Sequence, residues 1–295
     1  MRKKNWKYKL EELVLTGLIA LVRLPGLDRA SSIGGFLGRH IGPHLGITRR
    51  ARRRIARAMP ELPDTEIDHI IKAMWDNLGR VIFEYAYIDT FRKPEEAHRI
   101  EVVGLEELRA HKASGKGGLL LSGHFGNFEL LPVAMNREGF KGGEVYRPAN
   151  NPYVNEWMLD MRGGKTGSVQ MPKGRKGTRD LLTILRDNGF VAMLFDQKMN
   201  EGIEVTLFGI TSMTTPAPAG LAIRLGTRMF PACIERLQGA NFRVTVYPSI
   251  AATPDAEPMG ETVRLTQMLN DFLEARIREK PENWFWLHNR WADKD

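Results

Sequence analysis

Gly117-Gly-Leu-Leu-Leu-Ser-Gly-His124-Phe-Gly-Asn-Phe-Glu129-Leu-Leu131 decides the fold. Gly118 to Leu121 is a short uncharged apolar run, as a buried strand requires, Gly123 and Gly126 mark a turn, and a helical pattern follows. Strand, turn and helix in that order belong to an α/β sheet, where ligands sit in the crevice outside the carboxyl ends of the strands. Asn127 stands where a helix cap is expected.

Working outward, the same alternation continues over residues 101–295. Branched apolar runs predict strands at Gly118 to Leu121, Gly143 to Tyr146, Ser168 to Met171, Phe190 to Phe195, Met229 to Ile234 and Phe242 to Tyr247. Helical spacing predicts helices over 104–112, 128–138, 153–162, 176–187, 216–225 and 261–279. Residues 1–100 read differently. Ile67, Ile70, Ile71, Met74, Leu78, Ile82 and Tyr85 recur at three- and four-residue spacing, which predicts a long helix over 65–89. The expected organisation is therefore an N-terminal helical region, 1–100, and an α/β core, 101–295. There is no internal repeat or low-complexity tract.

The net charge of +8 is unevenly placed: residues 1–57 hold 14 Lys and Arg against 3 acids, so the remainder is net acidic. Such a basic end suits an anionic surface, whether phospholipid, nucleic acid or an acidic carrier protein, and charge alone does not choose among them. Lys3, Lys4, Lys7 and Lys9 precede an apolar stretch from Leu10 to Leu24 that Glu11, Glu12 and Arg23 interrupt. A spanning helix needs about 20 apolar residues, and the uncharged run from Leu13 to Val22 is too short. A helix lying in the membrane interface fits better, with a plain core helix as the alternative. No small-residue cleavage site follows, so the stretch does not read as a signal peptide. Ile47 to Met59 carries six arginines and reads as a basic helix, either a second contact with anionic head groups or a solvated face. The single Cys233 excludes an intramolecular disulfide and a multi-cysteine metal site, which fits a reducing compartment.

His124 and Glu129 are five apart, about 140° around a continuous helix, so they can meet only if His124 lies in the turn. Glu129 would then accept from one ring nitrogen and the other would take a proton from a hydroxyl, a general-base arrangement. A bare His and Glu at this spacing is common; the flanking glycines at a strand end give it weight. Ser122 is not in a Gly-x-Ser-x-Gly elbow, so no covalent acyl intermediate is indicated.

This segment resembles the His-x4-Glu motif of the lipid A biosynthesis lauroyl/myristoyl acyltransferases, relatives of the glycerophosphate acyltransferases, whose motif ends in Asp. The likeness continues through Val145-Tyr-Arg-Pro148, Asn150-Asn-Pro152, Arg162, Leu185 to Gln197, Val205 to Gly209, Thr214 to Ala222 and Pro281 to Trp291. It departs at Gly163-Gly164 and at Asn289, where the family often has bulkier residues and Arg. The resemblance implies a glycerophosphate-acyltransferase-like mixed sheet flanked by helices, with the N-terminal region contacting the cytoplasmic face of the inner membrane and its anionic phospholipids. It implies transfer of a fatty acyl group from acyl carrier protein to a 3-hydroxyacyl hydroxyl of a lipid A precursor, with no cofactor, metal or nucleic acid. Another phospholipid or glycolipid acceptor would leave the machinery unchanged. Catalysis falls to His124 and Glu129. Arg162 is expected to bind phosphate or stabilise charge, with a helix-end arginine as the bland alternative. Asp196 is expected either to brace the site or to touch substrate, and Arg147 to reach lipid phosphate. Lys165, Lys173, Arg175 and Lys176 form a cationic loop. His288, among Trp284, Trp286 and Trp291, is assigned to an aromatic cluster.

Overall fold

The computed structural model describes residues 6–163 and 168–291, so Lys3, Lys4, Gly164 and Lys165 lie outside the described residues. Helices come first: α1 (Trp6–Arg23), α2 (Leu27–Ile41), α3 (Gly46–Ala58), α4 (Asp64–Glu84) and the short α5 (Ile88–Phe91). Strands and helices then alternate: β1 (Ile100–Val103), α6 (Glu106–Ala113), β2 (Gly118–Ser122), α7 (Leu130–Arg137), β3 (Gly142–Tyr146), α8 (Pro152–Met161), β4 (Val169–Pro172), α9 (Arg175–Arg186) and β5 (Phe190–Leu194). The chain continues through β6 (Ile203–Leu207), β7 (Ile210–Thr214), α10 (Ala217–Leu225), β8 (Arg228–Arg236), β9 (Phe242–Val246) and α11 (Pro258–Glu279).

Seven strands form one mixed sheet in the order β1-β9-β8-β2-β5-β3-β4. Only the β8–β9 contact is antiparallel. β6 and β7 form a separate hairpin. β2 is central and buried along its whole length, which is why it reads as a continuous apolar run without polar alternation. Its side chains still alternate between faces: Leu119 and Leu121 enter a core shared with α3, α4, α10, α11 and the C-terminal tryptophans. Leu120 enters a second core with α7, β8 and β9.

The six strands expected from sequence are present within two residues, and β1, β6 and β7 are additional. The helix expected over 65–89 ends at Glu84 and passes into a tighter turn at Tyr85–Tyr87. α2 has no sequence expectation behind it. Its stretch Ser31-Ser-Ile-Gly-Gly-Phe-Leu-Gly38 has poor helix propensity, yet it forms because backbone lies on backbone: a Cβ on Gly79 of α4 would fall 2.1 Å from the Gly34 carbonyl oxygen.

α1 buries none of its residues. Its end is fixed where the Arg23 side chain donates to the Ala86 carbonyl and Asp89, and Tyr87 Oη donates to the Val22 carbonyl. Leu10, Leu13, Val14, Leu18 and Leu21 remain exposed, as do Ile33, Phe36, Leu37 and Ile41 of α2. Among the described residues no helix is long and apolar enough to cross a membrane.

Candidate active site

Two adjacent strand ends build the site. β2 and β5 run parallel with Ser122 opposite Leu194, and the Phe195 amide extends the ladder to the Ser122 carbonyl. Two residues beyond each of these partners stand His124 and Asp196. Register alone brings them together, and Asp196 accepts from His124 twice, from Nδ1 and from the backbone amide, both at 2.7 Å. A third donor, Trp284 Nε1, reaches the same carboxylate at 2.8 Å. Asp196 is fully buried. Burial would raise its pKa, but the His124 ring and the hydrogen bonds it accepts pull it well below the usual carboxylate range.

The spacing argument assigned the carboxylate at the His124 ring to Glu129, and the structure corrects this. Both Glu129 oxygens accept from Arg162, Oε2 from Nε at 2.9 Å and Oε1 from Nη2 at 2.6 Å. The reason is local. Phe128 packs its ring on His124, centroids 4.6 Å apart, and Glu129 sits at the N-cap of α7, facing Arg162 at the C-cap of α8. Burial works against the Arg162 cation, and the paired Glu129 more than compensates, raising its pKa. Glu129 and Arg162 thus staple the turn that carries His124 to the end of α8.

Asn127 is likewise not the helix cap. Its Nδ2 donates to Glu84 Oε2, and Glu84, fully buried, is held bidentately by Arg236 from β8. The turn is anchored from beneath by that network. Gly126 completes it: at φ +52° it lies in the left-handed region, and a Cβ there would fall 2.6 Å from the Ile234 carbonyl oxygen.

The His124 ring is further enclosed by Phe285 and His288, with centroids 6.3 and 4.3 Å away. A cleft enclosing roughly 250 Å³, including its open mouth, lies beside it. Met74, Leu78 and Val81 of α4 line one wall, and Gly126, Phe128 and Phe285 others. Beyond Arg162 lies a second, half-buried set, Tyr85, Arg92, Glu144 and Gln170, that sequence did not single out. Gln170 Nε2 donates to Glu144. Burial pushes the Glu144 carboxyl up to about 7 against the pull of Gln170 and Arg162. Such groups become visible only when β3 and β4 are placed side by side.

Arg147 is exposed just past the end of β3, Lys173 just past the end of β4, and Arg175 and Lys176 at the start of α9; none of these cations is gathered to His124. Ser122 is fully buried, its Oγ donating to the Gly123 carbonyl, and burial pushes the Cys233 thiol up to about 12. Neither is an activated nucleophile.

The profile of the family described as bacterial lipid A biosynthesis acyltransferase matches residues 3–293. The chain belongs to this acyltransferase family. Among its relatives, the phosphatidylinositol mannoside acyltransferase of Mycobacterium tuberculosis is 25% identical over 262 residues, covering 87% of this chain and 79% of the relative. The lipid A biosynthesis lauroyltransferase of Escherichia coli is 24% identical, covering 83% and 80%. A lipid A biosynthesis acyltransferase of Haemophilus influenzae is 22% identical, covering 81% and 73%. For this acyltransferase, then, the segment from Gly117 to Leu131 lies within the matched region, and Asp196 at its imidazole comes from just past β5, 72 residues on.

Proposed function

We propose that this acyltransferase moves a fatty acyl group from acyl carrier protein to a hydroxyl of a lipid A precursor at the cytoplasmic face of the inner membrane. The observation that carries the reading is the His124 Nδ1 to Asp196 Oδ1 hydrogen bond at the joined ends of β2 and β5. With Nδ1 held by a carboxylate, Nε2 is the nitrogen that takes the hydroxyl proton. The acceptor oxygen attacks the thioester carbon, the C–S bond breaks, and the departing thiolate takes the proton back from His124. An ester and a free carrier thiol result, with no acyl-enzyme and no cofactor.

Supporting the lipid setting are the exposed leucines of α1 and apolar face of α2, together with Arg49, Arg50, Arg53 and Arg57, exposed on α3. Such a surface suits anionic phospholipid, and Asp–His general-base chemistry gives no reason to invoke nucleic acid. A second reading, acylation of another glycolipid, is favoured by the mannoside acyltransferase relatives. Incubating the purified protein with acyl carrier protein thioesters of several chain lengths separates the two, using a tetra-acylated lipid A precursor in one arm and a phosphatidylinositol mannoside in the other. A mass gain of one acyl chain on the first supports lipid A, and on the second supports the alternative. No gain on either contradicts acyl transfer to a glycolipid.

A further inference from the structure

His288 lies 164 residues from His124 in sequence and directly against it in space. The two rings meet edge to face with centroids 4.3 Å apart, and Phe285 packs edge to face on His288 with centroids 4.5 Å apart. His288 Nε2 is buried and has no hydrogen-bond partner among the described residues. Native proteins keep few such atoms, because a buried polar group without a partner is costly, and those retained call for a functional account. The aromatic-cluster assignment explains the ring but not the unmatched nitrogen, which phenylalanine would have avoided.

The ionisable groups around His288 are His124 itself, Asp196 at the end of β5, and Arg54. Arg54 is the buried arginine of α3, and its guanidinium donates to the Trp286 and Leu287 carbonyls immediately before His288. Burial, then His124, outweigh the pull of Asp196 and push the His288 pKa down to about 4. His288 therefore remains an uncharged imidazole at neutral pH while its neighbour gains and loses a proton.

We propose that His288 is a positioning residue for His124, its ring pressing the base onto Asp196 and its polar nitrogen stabilising the imidazolium that His124 becomes. The inference rests on the reading of His124 as the base. A neutral dipole that turns its negative end to a forming cation favours that cation, and in a water-poor site the effect exceeds that in solvent. Asp196 fixes the tautomer and His288 packs edge to face against the ring.

Three substitutions separate polarity from bulk. His288→Phe keeps an aromatic ring without nitrogen, His288→Gln places an amide nitrogen near the position of Nε2, and His288→Asn places one near Nδ1. Turnover is measured with lauroyl carrier protein and whichever of the two acceptors supports wild-type activity. The expected result for His288→Phe is a kcat lowered about 30-fold with KM nearly unchanged. The acidic limb of its kcat/KM profile shifts to lower pH, because His124 holds its proton less well. His288→Gln recovers most of the loss and His288→Asn less. A His288→Phe protein with wild-type kcat and an unmoved limb overturns the proposal. If that variant does not fold, equal kcat for the Gln and Asn variants overturns it instead. His124→Ala is the control: an active His124→Ala protein removes the base itself, whereas an inactive one beside a fully active His288→Phe removes only the role of His288.

Discussion

Glu129 and Arg162 face each other through two parallel hydrogen bonds, and this pair binds the beginning of α7 to the end of α8. The motif carboxylate therefore shapes the turn, while Asp196 orients the imidazole. Both side chains of the pair are nearly buried, at 8% and 14% exposure. Removing one partner leaves the other charge without compensation, at a cost of about 2–4 kcal/mol. Glu129→Ala and Arg162→Ala are each expected to lower stability by that order. The double variant should lose clearly less than their sum, by about 1–3 kcal/mol. Urea unfolding of the four proteins measures the coupling, and simple additivity would contradict a direct pair.

Glu144 offers a test by pH. Its folded pKa, raised by burial to about 7, lies above the value of 4.5 that the unfolded chain has. Between those values the folded protein binds more protons, so this residue's contribution is present below pH 4.5 and is lost as pH rises toward 7. Glu144→Gln does not titrate and keeps an amide beside Gln170. Its advantage in thermal stability over the wild type should be small at pH 5 and grow to about 2–3 kcal/mol at pH 8. A difference independent of pH would show that Glu144 ionises normally.

Gly126 tests the turn itself. Alanine at φ +52°, with its Cβ against the Ile234 carbonyl, strains the backbone by about 1–3 kcal/mol. The same strain displaces His124, two residues earlier. Gly126→Ala should lower the melting temperature and cut acyl transfer more deeply than the stability loss alone accounts for. Wild-type activity in a folded Gly126→Ala protein would show that the turn tolerates a side chain.

How far the sequence reaches depends on what kind of signal each residue leaves. The six strands and the helices between them are legible because burial writes itself as runs of Leu, Val and Ile. α2 is hidden, since Gly34, Gly38 and Gly79 specify a close helix contact rather than a helical pattern. β1, four residues long, and the β6–β7 hairpin were not expected. At the site, His124 and its turn are legible from glycine spacing. The Asp196 partnership is not, because it depends on β2 and β5 being neighbours in register. Five-residue proximity draws attention to Glu129, and sheet order gives the imidazole to a residue 72 positions away.

The membrane reading predicts a graded response. Leu13→Glu with Leu18→Glu on α1, and Phe36→Glu on α2, place charge on faces already exposed to solvent, so folding should be retained. Co-sedimentation with vesicles of anionic phospholipid should fall about tenfold or more, by the loss of apolar burial. Replacing Arg49, Arg50 and Arg53 should instead weaken binding mainly at low salt. Undiminished sedimentation of the glutamate variants would place the lipid contact elsewhere.

Asp196→Asn addresses the central claim most directly. The amide keeps the size of the carboxylate, but the His124 amide and Trp284 Nε1 both claim its oxygen, so its NH2 faces Nδ1, disfavours the productive tautomer and lends the imidazolium no charge, and kcat for acyl transfer from lauroyl carrier protein should fall about 10²- to 10⁴-fold. KM and the circular dichroism spectrum should stay close to wild type. A folded Asp196→Asn protein that turns over at the wild-type rate would contradict the account.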